Sequence, residues 1–340
     1  MSRPTAIDVF SGCGGLSHGL RLAGFNVIGA VDNSALSVWT YRLNHRRTYV
    51  WEKDISDLTI AEVKRKLNLK IGELDLLAGC PPCQAFSAMR TRNGKHCIND
   101  ASKNLVYEVV RLVRGPRPKT IMVENVPGLA ADRRIVNFCS KLASLGYQCE
   151  YRVLNVANYG VPQRRRRMIL LASRLGPPEF APPTNKRRTV RDAIGSLSSA
   201  NRSGDPLHTS SEARSPRITR LIYKIPRNGG SRKHLGKRGQ LSCHTDFDGF
   251  KDVYGRMAWD AVAPTITSGC VNPSKGRFLH PKANRAITLR EAALLQGFPA
   301  SYRLSLDYGK FAAAGLIGNA LPPEFVRRHA VWVKGHLALF

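Results

Sequence analysis

Acidic side chains are scarce in this chain. Asp and Glu number 24 against 53 Lys and Arg, a formal net charge of +29 with histidine neutral. An imbalance of that size points to a polyanionic partner; a generally basic proteome or a solubility requirement is the plain alternative. No apolar run approaches the ~18 residues of a membrane helix, so no helical span is expected. No secretory leader is expected, because Met1-Ser2-Arg3-Pro4 runs straight into a strand-like segment, and a reducing cytoplasmic compartment is the expected setting. The 8 cysteines stand at irregular spacings and do not form a disulfide framework. Cys80 and Cys83 form a Cys-x-x-Cys, but no second such pair and no His-x-x-x-His completes four zinc ligands.

What is present is a 340-residue chain with 43% hydrophobic residues, enough for one large or two ordinary domains. Segments 5–10, 26–31, 50–55, 74–78, 120–124 and 168–172 read as strands, and 16–23, 35–43, 60–69, 105–113, 135–145 and 323–339 as helices. Such alternation predicts an α/β fold, a mostly parallel sheet with helices on both faces. Ligands of such sheets bind at the carboxyl ends of the strands. Residues 186–240 differ in character: 14 are Lys or Arg and 3 are acidic, among many Ser, Gly and Pro. A basic, loop-rich stretch of this kind can track phosphates.

Two loops carry the chemistry. Gly12, Gly14 and Gly15 follow the first strand and let backbone approach a ligand closely. Asp32 ends the second strand, where a carboxylate can accept from ribose hydroxyls. The third glycine of the dinucleotide fingerprint is missing, so NAD is disfavoured. The run from Gly79 to Ser87, GCPPCQAFS, presents a cysteine in a proline-stiffened loop after the fourth strand. A candidate nucleophile is the sharp reading; a redox pair, a zinc half-site and buried structural cysteines are the plain ones.

Six blocks together resemble the DNA cytosine-C5 methyltransferases of the bacterial modification type. They are DVFSGCGG at 8–15, GCPPCQAFS at 79–87, ENVPGL at 124–129, QRRRR at 163–167, RE at 290–291 with LQGFP at 295–299, and GNALPP at 318–323. They fall in the family's order across nearly the whole chain. The resemblance implies methyl transfer from S-adenosylmethionine to C5 of a cytosine flipped out of duplex DNA, through a covalent adduct of Cys83 with C6. It implies a Rossmann-like S-adenosylmethionine-dependent domain from residues 1–185 and 312–340, and a target-recognition domain with hinge at 186–311, smaller and loop- and strand-rich. Glu124, Arg165 and Arg167 would act with Cys83 at the base. Phe10, Gly12, Gly14, Gly15, Asp32, Asp54, Ile55 and Asn319 would hold the cofactor, and Gln84, Ser87, Thr265 and Thr267 would meet DNA. Cys13 stands where the family often has a smaller residue, which should not block the cofactor. Double-stranded DNA is the expected partner. A monomer in the cytoplasm, at the nucleoid, is the expected setting, with a cognate restriction endonuclease acting separately. No metal is expected. An RNA cytosine-C5 methyltransferase and a catalytically silent DNA-binding relative are the competing readings. The ENVPGL form and the sizeable variable region favour DNA, and an intact Cys83, Glu124 and Arg167 speaks against a silent copy.

Overall fold

The computed structural model describes residues 2–82, 105–209, 214–239 and 252–340; Cys83, Gln84 and Ser87 lie outside them. The chain divides into two compact units. The first comprises Met1–Tyr159, Arg166–Thr184 and Ala320–Phe340, the second Gly160–Arg165 and Asn185–Asn319.

The first unit is built on a seven-stranded sheet. Its strands are β1 (Thr5–Val9), β2 (Asn26–Asp32), β3 (Tyr49–Glu52), β4 (Leu76–Gly79), β5 (Thr120–Asn125), β6 (Gln148–Asn155) and β7 (Arg166–Ser173). The spatial order is β3-β2-β1-β4-β5-β7-β6. The first five strands are mutually parallel and β7 runs antiparallel to both β5 and β6. The expected α/β architecture is therefore present, and its central strands read as apolar runs because both faces are covered. Helices α1 (Gly15–Leu22), α2 (Ala35–Asn44), α3 (Ile60–Leu67), α4 (Leu105–Arg114) and α5 (Arg133–Ala143) lie between the strands in sequence. On α4, Val106, Val109, Val110 and Val113 bury one helical stripe, and α5 buries Ile135, Phe138 and Leu142 in the same core.

The strand order reverses between β1 and β4. The glycine turn leaves the carboxyl end of β1, and the Cys80–Pro81 loop leaves that of its neighbour β4. Ligands of open α/β sheets bind at such a switch point. Gly79 makes the close approach possible: a Cβ there would lie 2.5 Å from Val9 Cγ2 and 2.7 Å from the Val9 carbonyl. The Cys80 amide donates to that carbonyl at 3.3 Å.

The last helix of the chain, α10 (Pro323–Leu337), returns to pack on α1. Gly19 is the contact point, since a Cβ there would lie 2.5 Å from the Pro323 carbonyl and from Val326 Cβ.

The second unit has helices α6 (Val190–Ile194), α7 (Pro216–Lys224), α8 (Leu289–Gln296) and α9 (Gly309–Asn319). Capping boxes Thr189/Asp192 and Thr288/Glu291 start α6 and α8. Ile222, Ile225, Val253, Tyr254 and Leu279 form a small apolar core. Beside it Arg256 is fully buried. Its guanidinium donates to the carbonyls of Ile222, Ile225, His280 and Ala283 and to Asn284 Oδ1, at 2.6–3.1 Å. One side chain thus closes five acceptors from two distant segments. Arg256→Met should cost about 3–5 kcal/mol, because buried acceptors then lose their donor. Urea unfolding checks this; an unchanged midpoint would show the carbonyls finding other donors.

Candidate active site

The glycine turn is fixed by a carboxylate. Asp32, at the end of β2, accepts from the Gly12 amide at 2.8 Å and from the Ser34 amide at 3.0 Å. Burial holds its pKa above the usual carboxylate range. Phe10 adopts φ +60° and Gly12 φ +53°, so the chain turns sharply at the strand end. Nothing lies within 4 Å of where a Gly12 Cβ would be; the backbone there borders open space. Gly14 (φ +92°) caps α1, which begins at Gly15. Among the described residues the buried Ser11 Oγ has no hydrogen-bond partner, a polar atom left over at the same turn. Burial pushes the Cys13 thiol up to about 12, which keeps it neutral.

Asp54 caps a short 3-10 turn at Ile55–Asp57 rather than extending β3. Its carboxylate accepts from the Ser56 hydroxyl at 2.7 Å, the Ser56 amide at 2.9 Å and Asn33 Nδ2 at 3.3 Å. The Ser56 hydroxyl, above all, holds the Asp54 pKa below its ordinary value. Ile55 is buried.

Asp8 carries a role that the sequence reading missed. Fully buried on β1, it accepts from the Ser17 hydroxyl at 2.6 Å and amide at 3.1 Å, tying strand to helix. Its second oxygen lacks a partner among the described residues. Burial outweighs the Ser17 bonds and pushes its pKa up to about 7. A raised carboxyl pKa stabilises the fold fully below the unfolded value near ~4, and that contribution is lost as pH rises through the folded value. Between pH 5 and 8 the wild-type protein should lose about 2–3 kcal/mol through this group. Urea midpoints of wild type and Asp8→Asn at both pH values check it; equal pH slopes in the two proteins would count against Asp8.

At the far end of the switch point stand Glu124 and Arg167. Glu124 is on β5 and Arg167 on the neighbouring antiparallel β7, and Arg167 Nε meets Glu124 Oε1 at 2.7 Å. Their side chains are 11% and 17% exposed, so the pair is shielded yet reachable. Arg167 Nη1 also donates to the Arg166 carbonyl at 2.8 Å. Asn125, next to Glu124, donates from Nδ2 to the Pro81 carbonyl at 3.1 Å and accepts from the Val126 amide at 2.9 Å. It ties the loop after β4 to the end of β5, two residues before Cys83. The Cys80 thiol lies against Glu124; burial, then the nearby carboxylate and its hydrogen bond, push it well above its ordinary pKa.

The arginine block is split between the units. Arg165 is buried in the second, where its Nη1 donates to the carbonyls of Ile266 at 3.0 Å and Gly318 at 2.9 Å. Gln163 accepts from the Ile266 amide at 3.0 Å and donates to the Leu295 carbonyl at 3.2 Å and to Gln296 Oε1. Thr265 Oγ1 donates to the Arg164 carbonyl at 2.8 Å, while Thr267 is exposed. A Cβ on Gly318 would collide with the Thr267–Ser268 backbone. Three sequence blocks thus meet on one backbone turn. Asn319, exposed at the end of α9, belongs to this second unit. Gln163 and Asn125 were inside quoted motifs, but their partners lie up to 133 residues away.

A glycine turn and a carboxylate at the switch point of a mostly parallel sheet, with a shielded Glu–Arg pair on β5 and β7, form a ligand site of the open α/β class. The chain belongs to the C-5 cytosine-specific DNA methylase family, whose model matches residues 5–332. It is 38% identical to the Type II methylase M.HgiDII of Herpetosiphon aurantiacus, over 97% of this chain and 95% of that protein. It is 31% identical to the Type II methyltransferase M.XorII of Xanthomonas oryzae pv. oryzae, over 96% and 84%. Among solved structures it is similar to a prophage-encoded E. coli protein described as a DNA modification methyltransferase. That likeness has TM-score 0.71 and 25% identity, and covers 98% of this chain and 99% of the other. The protein is a DNA (cytosine-5-)-methyltransferase.

Proposed function

We propose that the chain methylates C5 of a flipped cytosine in duplex DNA with S-adenosylmethionine, through a covalent bond from Cys83 to C6. The Glu124–Arg167 pair beside the Cys80–Pro81 loop is the observation that carries this reading. A base must leave the stack before its ring atoms can be reached. Cys83 would add to C6 as the thiolate, which makes C5 enamine-like. Glu124 would hold N3 and the exocyclic amine, supplying the proton or hydrogen bond that stabilises the electron-rich adduct. Arg167, held by Glu124, would reach the base carbonyl, and Arg165 would fix the backbone nearby.

The residues at the turn fit the cofactor. Backbone bordering open space at Gly12, an unused Ser11 hydroxyl and the Asp32 carboxylate suit a ribose and an amino-acid end. S-adenosylmethionine would supply the electrophilic methyl group. Phe10, Gly12, Gly14, Gly15 and Asp32 would hold its methionine and ribose, Asp54 and Ile55 its adenine, with Asn319 completing the site.

Residues 1–185 and 312–340 would form the catalytic body and 186–311 the target-recognition part. On α7, Arg217, Arg220, Lys224 and Tyr223 are exposed, a basic, aromatic face suited to phosphates and bases. Gln84, Ser87, Thr265 and Thr267 would contact the same duplex. The chain would act as a monomer in the cytoplasm, at the nucleoid. The Type II names of its relatives suggest a companion endonuclease.

Labelled S-adenosylmethionine, offered with mixed-sequence duplex DNA and with RNA, should label DNA alone. Base-resolution mapping should then place 5-methylcytosine at one short recurring sequence. Label confined to RNA would overturn the reading.

A further inference from the structure

Cys139 and Cys149 take no part in the site described above. Cys139 lies on α5, and Cys149 is the second residue of β6. Their sulfurs are 2.8 Å apart, within about 1 Å of a disulfide bond length of about 2.0 Å. Both are half-buried at the edge of the apolar core, so a small solute can reach them.

The turn between them is held rigidly. The Gly146 amide donates to Ala143, and the Tyr147 amide to Leu142, at 2.9 and 3.1 Å. The Tyr147 ring is buried and its hydroxyl donates to the Pro118 carbonyl at 2.5 Å. Cys149 sits opposite Ala172 on β7. Helix and strand therefore present the two sulfurs to each other without a loop that must rearrange. A metal is a poor occupant, since no group of three His, Cys, Asp or Glu ligands exists among the described residues.

We infer that Cys139 and Cys149 are a dithiol that hydroperoxides close reversibly to a disulfide, clasping the edge strand β6 to α5. The hydrogen bond from the Cys149 thiol lowers the Cys139 pKa, and the same bond raises that of Cys149, so Cys139 is the attacking sulfur. The Cys139 thiolate takes the terminal oxygen of the peroxide. An S–O bond forms, the O–O bond breaks and one water leaves. Cys149 then displaces the hydroxyl of that sulfenic acid, forming the S–S bond and releasing a second water with its own proton. Two thiols and one hydrogen peroxide become one disulfide and two waters. A dithiol reductant restores the pair.

The test is peptide mapping of the full chain after brief treatment with hydrogen peroxide at neutral pH, followed by alkylation. Trypsin cleavage after Arg134, Lys141 and Arg152 releases fragments 135–141 and 142–152, each with one of these cysteines. The two fragments should appear joined, about 2 Da lighter than their sum, and separate on reduction. In Cys149→Ala, Cys139 should instead be trapped by dimedone as the sulfenic acid, at several times the wild-type yield. Separate fragments with both cysteines alkylated, once Cys83 is already oxidised, would overturn the inference. So would Cys139 joined to any other cysteine, or equal dimedone labelling in wild type and variant.

Discussion

Cys83→Ala should abolish methyl transfer, a loss on the order of 10⁴–10⁶-fold, of the size seen when a catalytic nucleophile is removed. C5 of cytosine is too poor a nucleophile to take a methyl group unaided. Addition of a thiolate at C6 places a negative charge that C5 can use, and an alanine offers nothing to add. Cys80 cannot stand in three residues away. Its thiol is kept protonated by burial and by Glu124, and its amide is tied to Val9. DNA affinity should stay within a few-fold of wild type, because one sulfur contributes little to an interface dominated by phosphate contacts. Single-turnover transfer with duplex DNA and a parallel binding titration measure both. Residual activity within tenfold of wild type would mean that Cys83 is not the nucleophile.

Glu124→Gln should lower kcat by about 10²–10⁴-fold, the usual share of a general acid, with KM for DNA nearly unchanged. The amide matches the carboxylate in shape and can still accept from Arg167, so the sheet should be undisturbed. It cannot deliver a proton to N3, and it removes the charge that Arg167 faces at 2.7 Å. A loss expressed only in KM would assign Glu124 to binding. A loss below about fivefold would remove it from the chemistry altogether.

Much of the first unit was legible because central strands are apolar on both faces. β1, β2, β4 and β5 are largely apolar apart from the carboxylates Asp8, Asp32 and Glu124, and were found within two residues of their ends. β6 was missed. As an edge strand it has no fully buried residue and carries Glu150 and Arg152 among its apolar positions, so neither a run nor a clean alternation marks it. The stretch 50–55, expected as one strand, is β3 followed by a 3-10 turn, since Asp54 bonds its own backbone two residues on. Local propensity does not show which of two such conformations wins. In the site, Glu124 and Arg167 stood out within motifs, but their pairing depends on the antiparallel placement of β7. That Arg165 would serve carbonyls of Ile266 and Gly318 was not legible either, since the three positions are joined only by the fold.

The order of synthesis has a bearing on when such an enzyme can exist. The face of α1 around Gly19 is covered by Pro323 and Val326 of α10, which follow it in the sequence only after the whole second-unit segment Asn185–Asn319. In a growing chain that face of α1 therefore stays uncovered until α10 has been made. The first unit is completed only after that intervening segment has been made. A messenger cut short anywhere within that segment yields a polypeptide without its closing helix.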